Sequence, residues 1–242
     1  PLEKYAVTCF LGDKDAPKDE ETAKVWLSLG IPKERLAFLP KKDNWWGPAG
    51  ETGPCGPCTE MFYWKSDKPA QKKFNPEDKN WVEIGNDVLM EYEKTKSGDY
   101  KGLSQKNIDF GGGVERTLAI LNKYNDNYLT SIFQPTIAEI EKISGKKYGK
   151  NKEDTRAMRI IADHIRAAAF ILGDEKGIKP SNIGQGYVLR RLIRRAIRYG
   201  KLLGIEENFT SKVAKAILPV YPDYQELHRN HKFIEEQLDE EE

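Results

Sequence analysis

Residues 105–121, QKNIDFGGGVERTLAIL, bring an acid, three consecutive glycines and an arginine together at a predicted strand-to-helix junction. Residues 107–109 end an extended run, and Val114, Leu118 and Leu121 then recur at helical spacing. Glycines let a backbone approach a ligand closely and adopt dihedral angles closed to other residues, and a helix N-terminus attracts anions. The junction therefore suits a nucleotide.

Two charged side chains flank these glycines. Asp109 is suited to hold a cation such as an amine, and Arg116 to stack on a base or reach phosphates. The alternative is that Asp109 caps a tight turn and Arg116 is solvated. No Gly-Lys-Ser/Thr follows, and Arg116 stands where a dinucleotide fingerprint has its third glycine, so neither phosphate-binding motif is present.

The segment 81–93, WVEIGNDVLMEYE, alternates as a β-strand does. One face of this strand is predicted to carry Val82, Ile84, Asn86, Val88, Met90 and Tyr92. A lone amide on an apolar face costs about 1–3 kcal/mol unless it is hydrogen-bonded. Asn86 is either satisfied by backbone or reserved for a ligand, and beside Val88 and Asp109 it would fit a small zwitterion.

Glycine and proline punctuate residues 43–64, which predict a loop of fixed shape followed by a short strand at 59–64. Cys55 and Cys58 allow a dithiol site or half of a zinc site. Gly-Pro precedes the pair and β-prone residues follow it, which disfavours a dithiol site, and the remaining zinc ligands are distant in sequence. A loop-shaping role is preferred. Trp46, like Trp45, belongs either to a core or to an aromatic pocket wall.

The order of predicted elements indicates an α+β protein. Segments 4–11, 18–29 and 35–39 predict strand, helix and strand, and 132–145 predicts a further helix. We place a domain boundary in the linker 146–155. Residues 1–150 are then an antiparallel sheet with flanking helices, and 151–242 are all helical, with an apolar stripe formed by Met158, Ile161, Ile165, Ala168 and Leu172.

The segment 187–201, YVLRRLIRRAIRYGK, is basic and contains no acid. Its apolar residues, Leu189, Leu192, Ile193, Ala196 and Ile197, are predicted to face a core. The remaining surface carries Arg190, Arg191, Arg194, Arg195, Arg198 and Lys201. A surface for a phosphate backbone is preferred over a solvated face or an ion-pair partner for the acidic EEQLDEEE at 235–242. Asn182, just upstream, is suited to read a base edge.

Composition and the two ends of the sequence predict where the protein is located and whether the chain is a piece of a longer one. The net charge of the 242 residues is only +1, and no apolar run approaches 18 residues, so no membrane contact is expected. Three cysteines, an odd number, fit a reducing cytoplasm. The chain begins without methionine and ends within a helical pattern, so we expect it to be a piece of a longer protein.

Five ordered segments resemble one family, the alanyl-tRNA synthetases of class II. They are DNWWGPAGETGPCGPCTE, WVEIGNDVLMEY, IDFGGGVER, RIIADHIRAAAFIL and PSNIGQGYVLRRLIRRAIRYG. The resemblance runs from Tyr5 to Glu236. It implies the C-terminal part of a class II catalytic domain over 1–150 and the start of the helical tRNA-recognition domain over 151–242.

The resemblance also implies a reaction. ATP and alanine give alanyl-adenylate and pyrophosphate with Mg²⁺, and the alanyl group then passes to the 3′ end of alanine tRNA. Asp109 would hold the alanine ammonium, with Asn86, Val88 and Trp46 around it. Gly111 and Gly113 would lie against the adenosine and Arg116 at the ATP, whereas the magnesium ligand, Glu60 or another acid, is left open.

On the RNA side, the resemblance assigns Asn182 to a G·U wobble pair in the acceptor stem and the arginine helix to tRNA recognition. Two positions depart from the family, because Gly85 stands where tryptophan or a similar residue is usual and Phe110 where threonine is usual. The first two class II signatures are expected before Pro1, so we expect the 242 residues alone to be inactive.

Two other functions compete with this interpretation. One is a non-catalytic, synthetase-like tRNA-binding module that dispenses with Asp109 and Arg116, and the other is a thiol oxidoreductase using Cys55 and Cys58. An incomplete sheet would also expose an edge through which the chain could form a homo-oligomer.

Overall fold

The computed structural model describes residues 1–242, which form two compact units, Pro1–Asn125 and Asp126–Glu242. The first unit is built on a sheet and the second is entirely helical. The protein is thus of mixed α+β class, as predicted. No helix combines the length and the apolar character needed to cross a membrane.

Six strands form the sheet of the first unit, in the order β2-β1-β4-β5-β6, with β3 paired to β4. Their bounds are β1 (Tyr5–Phe10), β2 (Leu36–Leu39), β3 (Trp45–Trp46), β4 (Gly53–Trp64), β5 (Trp81–Lys94) and β6 (Tyr100–Gly112). Only β1 and β2 are parallel, joined by helix α1 (Glu20–Ser28), and all other pairs are antiparallel. Helix α2 (Val114–Leu121) follows β6 directly.

Two strands are longer in the structure than the sequence predicted. β4 begins at Gly53, so the Cys-Gly-Pro-Cys segment lies within a strand, and its expected loop conformation was wrong. The register nevertheless shifts between Cys55 and Cys58, where the strand carries a bulge. β6 continues to Gly112, past the position where the sequence suggested a turn.

A second bulge changes which residues of β5 share a face. Met61 pairs with Gly85 and Phe62 with Glu83, so Ile84 is the extra residue. Because the alternation reverses there, Ile84 and Val82 lie on the face opposite Asn86, which corrects the single face expected for this strand. The bulge places Glu83 on the same face as Asn86 instead.

The helical unit packs around one continuous apolar core. Its helices are α3 (Gln134–Ser144), α4 (Lys152–Gly173), α5 (Gly184–Leu202), α6 (Thr210–Lys215), α7 (Gln225–Arg229) and α8 (His231–Glu241). The predicted stripe of α4 is completely buried, and α5 buries Leu189, Ile193, Ala196 and Ile197. Both core-facing predictions are confirmed, with Leu192 only partly buried.

Helix α3 belongs to this core, because Phe133, Ile137 and Ile140 pack in the same cluster as Met158 of α4. The compact helical unit therefore starts upstream of the predicted linker. The assignment of catalytic and recognition roles to residues 1–150 and 151–242 stays a prediction. Short 3₁₀ turns at Leu2–Lys4, Lys33–Arg35, Asn127–Leu129 and Leu218–Val220 complete the elements.

Candidate functional site

Strand register brings the predicted amino-acid-binding residues onto one face of β4, β5 and β6. Asn86 pairs with Gly111, and Val88 pairs with Asp109. Residues directly opposite each other in an antiparallel pair project to the same side, and diagonal neighbours lie within reach of one another. On β4, Cys58 and Glu60 pair with Val88 and Asn86. We call this the site face; its members are Cys58, Glu60, Asn86, Val88, Asp109 and Gly111.

Asn86 carries an unmet hydrogen-bonding capacity at the centre of the site face. Its Oδ1 atom is buried and has no partner. Such an acceptor costs about 1–3 kcal/mol unless a donor reaches it. Asp109, diagonal to it on β6, is exposed to solvent. An amide oxygen and a carboxylate together offer two acceptors to one cationic donor.

The three glycines before α2 are explained by the lack of room for side chains at two of them. Their backbone angles do not require glycine. None of them has a positive φ, so the expected need for special dihedral angles was wrong. A Cβ at Gly113 would lie 2.8 Å from Nε of Arg116, and one at Gly112 would lie 3.0 Å from the Phe110 ring. A Cβ at Gly111 would make only an ordinary contact, 3.8 Å from the backbone oxygen of Asn86.

Arg116 folds back from the first turn of α2 and pairs with Glu83 at 3.0 Å between Nη1 and Oε2. The β5 bulge puts Glu83 on the site face, and the α2 N-terminus has no side-chain cap. An arginine and a helix N-terminus without a side-chain cap therefore meet at the same corner. This arrangement favours an anion such as a phosphate.

A polar network on the β1 side of the site face holds Glu60. Nδ2 of Asn44 donates to Oγ1 of Thr8 at 2.8 Å, and Oγ1 of Thr8 donates to Oε2 of Glu60 at 3.3 Å. Burial, reinforced by the charge of Glu83, raises the pKa of Glu60 from 4.5 to about 7. The sequence suggested Glu60 only as an open choice for magnesium, although its spacing from Cys58 already placed both side chains on one face.

The cysteines are free, buried and unsuited to thiol chemistry. Burial raises the pKa of Cys9 and of Cys58 to about 12 and raises the pKa of Cys55. Thiols in this state are protonated at neutral pH, whereas reactive cysteines have lowered pKa values. No group of three or more His, Cys, Asp or Glu side chains is placed to hold a metal.

The shape of the Cys-Gly-Pro-Cys segment has a steric cause. A Cβ at Gly56 would lie 1.8 Å from the backbone oxygen of Leu89, so only glycine fits between β4 and β5 at the bulge. Next to it, Trp45 packs against Phe10 and Tyr92, and Trp46 pairs with Gly56 and is 40% exposed. The structure thus places Trp46 on β3, outside the Asn86–Asp109 register.

The helical unit presents a basic surface along α5. Arg191, Arg194, Arg195 and Arg198 are exposed. Arg190 differs from them, because its side chain is 27% exposed and it makes a bidentate ion pair with Glu241 of α8. Four arginines therefore remain available to a polyanion, and the fifth is engaged within the unit.

Asn182 lies immediately before α5 and is exposed. Its Oδ1 accepts a hydrogen bond from Nη1 of Arg190 at 2.6 Å. The preceding loop folds over the first turn of α5, where a Cβ on Gly186 would lie 2.3 Å from Oγ of Ser181. Asn182 is consequently fixed at one end of the basic surface.

Comparisons with known proteins agree on one family. The family model described as tRNA synthetases class II (A) matches residues 6–242. The alanine–tRNA ligase of Treponema denticola is 52% identical over 97% of this chain and 40% of its own length. That of Borrelia hermsii is 47% identical, over 99% of this chain and 41% of its own.

A more distant relative extends the same result. The alanine–tRNA ligase of an Anaeromyxobacter species is 42% identical over 96% of this chain, which corresponds to 26% of its own length. The chain thus spans about two fifths or less of the curated relatives it matches. With the family match covering almost every residue, the chain belongs to the class II (A) tRNA synthetases.

Proposed function

We propose that the protein containing this chain is an alanine–tRNA ligase. Alanine and ATP form alanyl-adenylate and release pyrophosphate, and the alanyl group is then transferred to the 3′ end of alanine tRNA. The relatives at 42–52% identity are alanine–tRNA ligases, which supports this choice. Because the chain spans only part of their length, the activity is proposed for the whole protein.

One observation carries the amino-acid site: the buried, unpartnered Oδ1 of Asn86 shares the site face with Asp109. The alanine ammonium supplies N–H donors and a positive charge, which satisfy both groups. Val88, paired with Asp109, is 6% exposed and limits the room for a side chain. Trp46 was expected at the wall of this pocket and remains the least supported member of the set.

ATP would lie at the α2 corner, with the adenosine over Gly111 and Gly113 and with Arg116 on a phosphate. The lack of any close contact at Gly111 supports this placement. Arg116 pairs with Glu83, so binding of a phosphate by Arg116 would exchange one partner for another. Such an exchange keeps the guanidinium paired in both states.

Magnesium fits this corner through two carboxylates. Glu60 and Glu83 both lie on the site face, and their mutual repulsion contributes to the raised pKa of Glu60. Mg²⁺ is commonly held by one or two carboxylates together with substrate phosphates. When bound, the ion would neutralise phosphate charge, and Glu60 and Glu83 are the residues that would hold it.

The tRNA acceptor stem would contact the basic surface of α5. Arg191, Arg194, Arg195 and Arg198 would neutralise phosphates, which positions the RNA without reading its sequence. Asn182 would touch the stem at the end of this surface. Pairing of the β6 edge with the same edge of a second copy, and a cytoplasmic location, complete the proposal.

Alanine-dependent exchange of pyrophosphate into ATP by the whole protein tests the amino-acid site. Replacing Asn86 by leucine removes the buried acceptor, so the KM for alanine should rise about tenfold while the KM for ATP is unchanged. Asn75→Leu, on the exposed segment after β4, is the matched control. An unchanged KM for alanine in Asn86→Leu would count against the site.

The same assay separates the enzyme from a non-catalytic tRNA-binding module. The module would bind tRNA with the salt dependence of a basic surface but show no exchange in the whole protein. Exchange that requires alanine excludes it.

A further inference from the structure

Asn182, Arg190 and Glu241 form a hydrogen-bonded group. Binding of RNA phosphates by a basic surface does not require such a group. Arg190 uses Nη1 to donate to Oδ1 of Asn182 at 2.6 Å. Its Nε and Nη2 donate to Oε1 of Glu241 at 2.9 Å and 2.7 Å. A single guanidinium therefore spans a carboxylate on one side and a carboxamide on the other.

The guanidinium determines which way the Asn182 amide faces. Arginine has only N–H donors, so the atom of Asn182 that meets it must be the carbonyl oxygen. The carbonyl is occupied by a charge-assisted hydrogen bond, and Nδ2 is left as the free end of the group. Asn182 is exposed, and the contact with Arg190 uses neither of its two N–H donors.

Glu241 in turn fixes Arg190. The carboxylate is only 13% exposed and the ion pair is bidentate, a geometry that restricts rotation of the guanidinium. Arg190 is four residues from Arg194 on the same helix, yet Arg194 is exposed and Arg190 is not. The two arginines therefore occupy different environments within one basic surface.

We propose that Arg190 and Glu241 are positioning residues that orient Asn182 so that Nδ2 donates a hydrogen bond to an acceptor group on the RNA. Such acceptors are pyrimidine O2, purine N3 and the ribose 2′-oxygen, which line the minor groove of an RNA helix. The contact with RNA rests on the proposed function, whereas the orientation of Asn182 does not.

A double-mutant cycle in RNA binding tests the positioning role. Arg190→Lys keeps the charge but loses the planar fork, and Asn182→Ala removes the donor. Each should weaken binding of an acceptor-stem hairpin about 3- to 10-fold, the worth of one hydrogen bond, with an unchanged salt slope. Because both changes abolish the same contact, the double variant should be no weaker than either single variant.

Arg198→Lys serves as the matched control, since Arg198 is exposed on the same helix. Its effect should multiply with that of Asn182→Ala. Multiplicative effects for Arg190→Lys as well would identify Arg190 as an independent phosphate contact and overturn the proposal.

A measurement without RNA keeps the two proposals distinguishable. Side-chain amide signals of Asn182 in ¹⁵N-labelled protein should shift and exchange faster with solvent in Arg190→Lys and in Glu241→Ala. Signals unchanged in both variants would overturn the positioning role. Absence of hairpin binding by the wild-type chain, with the amide shifts present, would instead reject the proposed RNA contact and leave the orientation of Asn182 standing.

Discussion

The two units obtain their structure by different means. The helical unit buries one continuous apolar cluster to which all six of its helices, α3 to α8, contribute, whereas the apolar cluster of the sheet unit is smaller and consists of Ala6, Trp64, Phe74 and Trp81. The sheet unit relies in addition on polar pairs such as Asn44 with Thr8. The difference teaches that a unit built to bind ligands keeps part of one sheet face unfilled, whereas the helical unit can fill its interior with apolar side chains.

Identical substitutions in the two units should reveal this difference most directly. Ile161→Ala in α4 empties a completely buried position, so it should lower the free energy of unfolding of the helical unit by about 2–5 kcal/mol. Ile108→Ala in β6 changes a side chain that is 71% exposed and should cost less than about 0.5 kcal/mol. Urea unfolding followed by circular dichroism measures both. Comparable losses would contradict the contrast between the units.

At the site face we expect the opposite result, namely a large loss of activity with no loss of stability. Asp109→Ala should reduce alanine activation by the whole protein about 100-fold, because it removes a charge-assisted acceptor from the ammonium. Since Asp109 is exposed, the melting temperature should stay within error of the wild type. Asp109→Asn, which keeps the shape without the charge, is the control and should lose most of the same activity. Retained activation in Asp109→Ala would remove this residue from the site.

The basic surface of α5 should respond to charge with little change in stability. Arg194→Glu combined with Arg198→Glu should weaken tRNA binding about tenfold or more and flatten its dependence on salt, because two phosphate contacts are lost. Conversion of the same two residues to lysine should preserve the slope. Filter binding at several salt concentrations gives both quantities. A slope that does not change would identify the surface as merely solvated.

Titration of Glu60 should make the stability of the sheet unit depend on pH. Its folded pKa of about 7 exceeds the ordinary 4.5, so the folded state keeps a proton that the unfolded chain has already released. The contribution of protonated Glu60 to the free energy of unfolding is complete below pH 4.5 and is lost as the pH rises through 7. After allowance for solvent screening, the loss between pH 5 and pH 8 should be about 1–2 kcal/mol.

Glu60→Gln cannot titrate and should abolish this part of the pH dependence. Exposed Glu77→Gln is the control and should retain it. Thermal unfolding at pH 5, 6, 7 and 8 provides the comparison. Parallel curves for wild type and Glu60→Gln would show that Glu60 carries no raised pKa.

The smallest expected effect concerns Gly85 and Phe110, the two positions at which the resemblance predicts a departure from the family, which lie against each other in the structure. A Cβ at Gly85 would come within 2.8 Å of the Phe110 ring. Gly85→Trp should therefore be destabilising alone and less so together with Phe110→Thr, with a coupling energy of about 0.5–1 kcal/mol. Because Phe110 is 61% exposed, the ring can move aside and limits the cost. Additive effects in the denaturation cycle would show that the two departures are independent.

Periodicity predicted the parts of the fold that obey it without interruption. The stripe of α4 and the core side of α5 follow one uninterrupted 3.6-residue pattern, and both are buried as expected. The bulges at Ile84 and between Cys55 and Cys58 break the two-residue alternation. Their positions depend on contacts between strands that are distant in sequence, which local patterns do not contain.

The site was predictable to a similar degree. The motif around Asp109 pointed to Arg116, and alternation pointed to Asn86 and Val88, which the register brings onto one face with Asp109. The pairing of Arg116 with Glu83 needed the bulge, so it was not foreseen. Arg190 looks like its neighbours in the sequence, and only the return of α8 to α5 distinguishes it.

Thr59 and Glu60 are consecutive residues of β4 that serve opposite sides of the sheet. Thr59 accepts a hydrogen bond from the indole of Trp26 in α1 and donates to the backbone of Thr8, while Glu60 accepts from the hydroxyl of that same threonine. A slip of β4 by one residue would exchange the two side chains between faces. Thr59 would then lose its contact with α1, and Glu60 would leave the site face. A misaligned sheet would therefore lose stability as well as its site. The native register is therefore favoured by these contacts themselves, whether or not a ligand is bound.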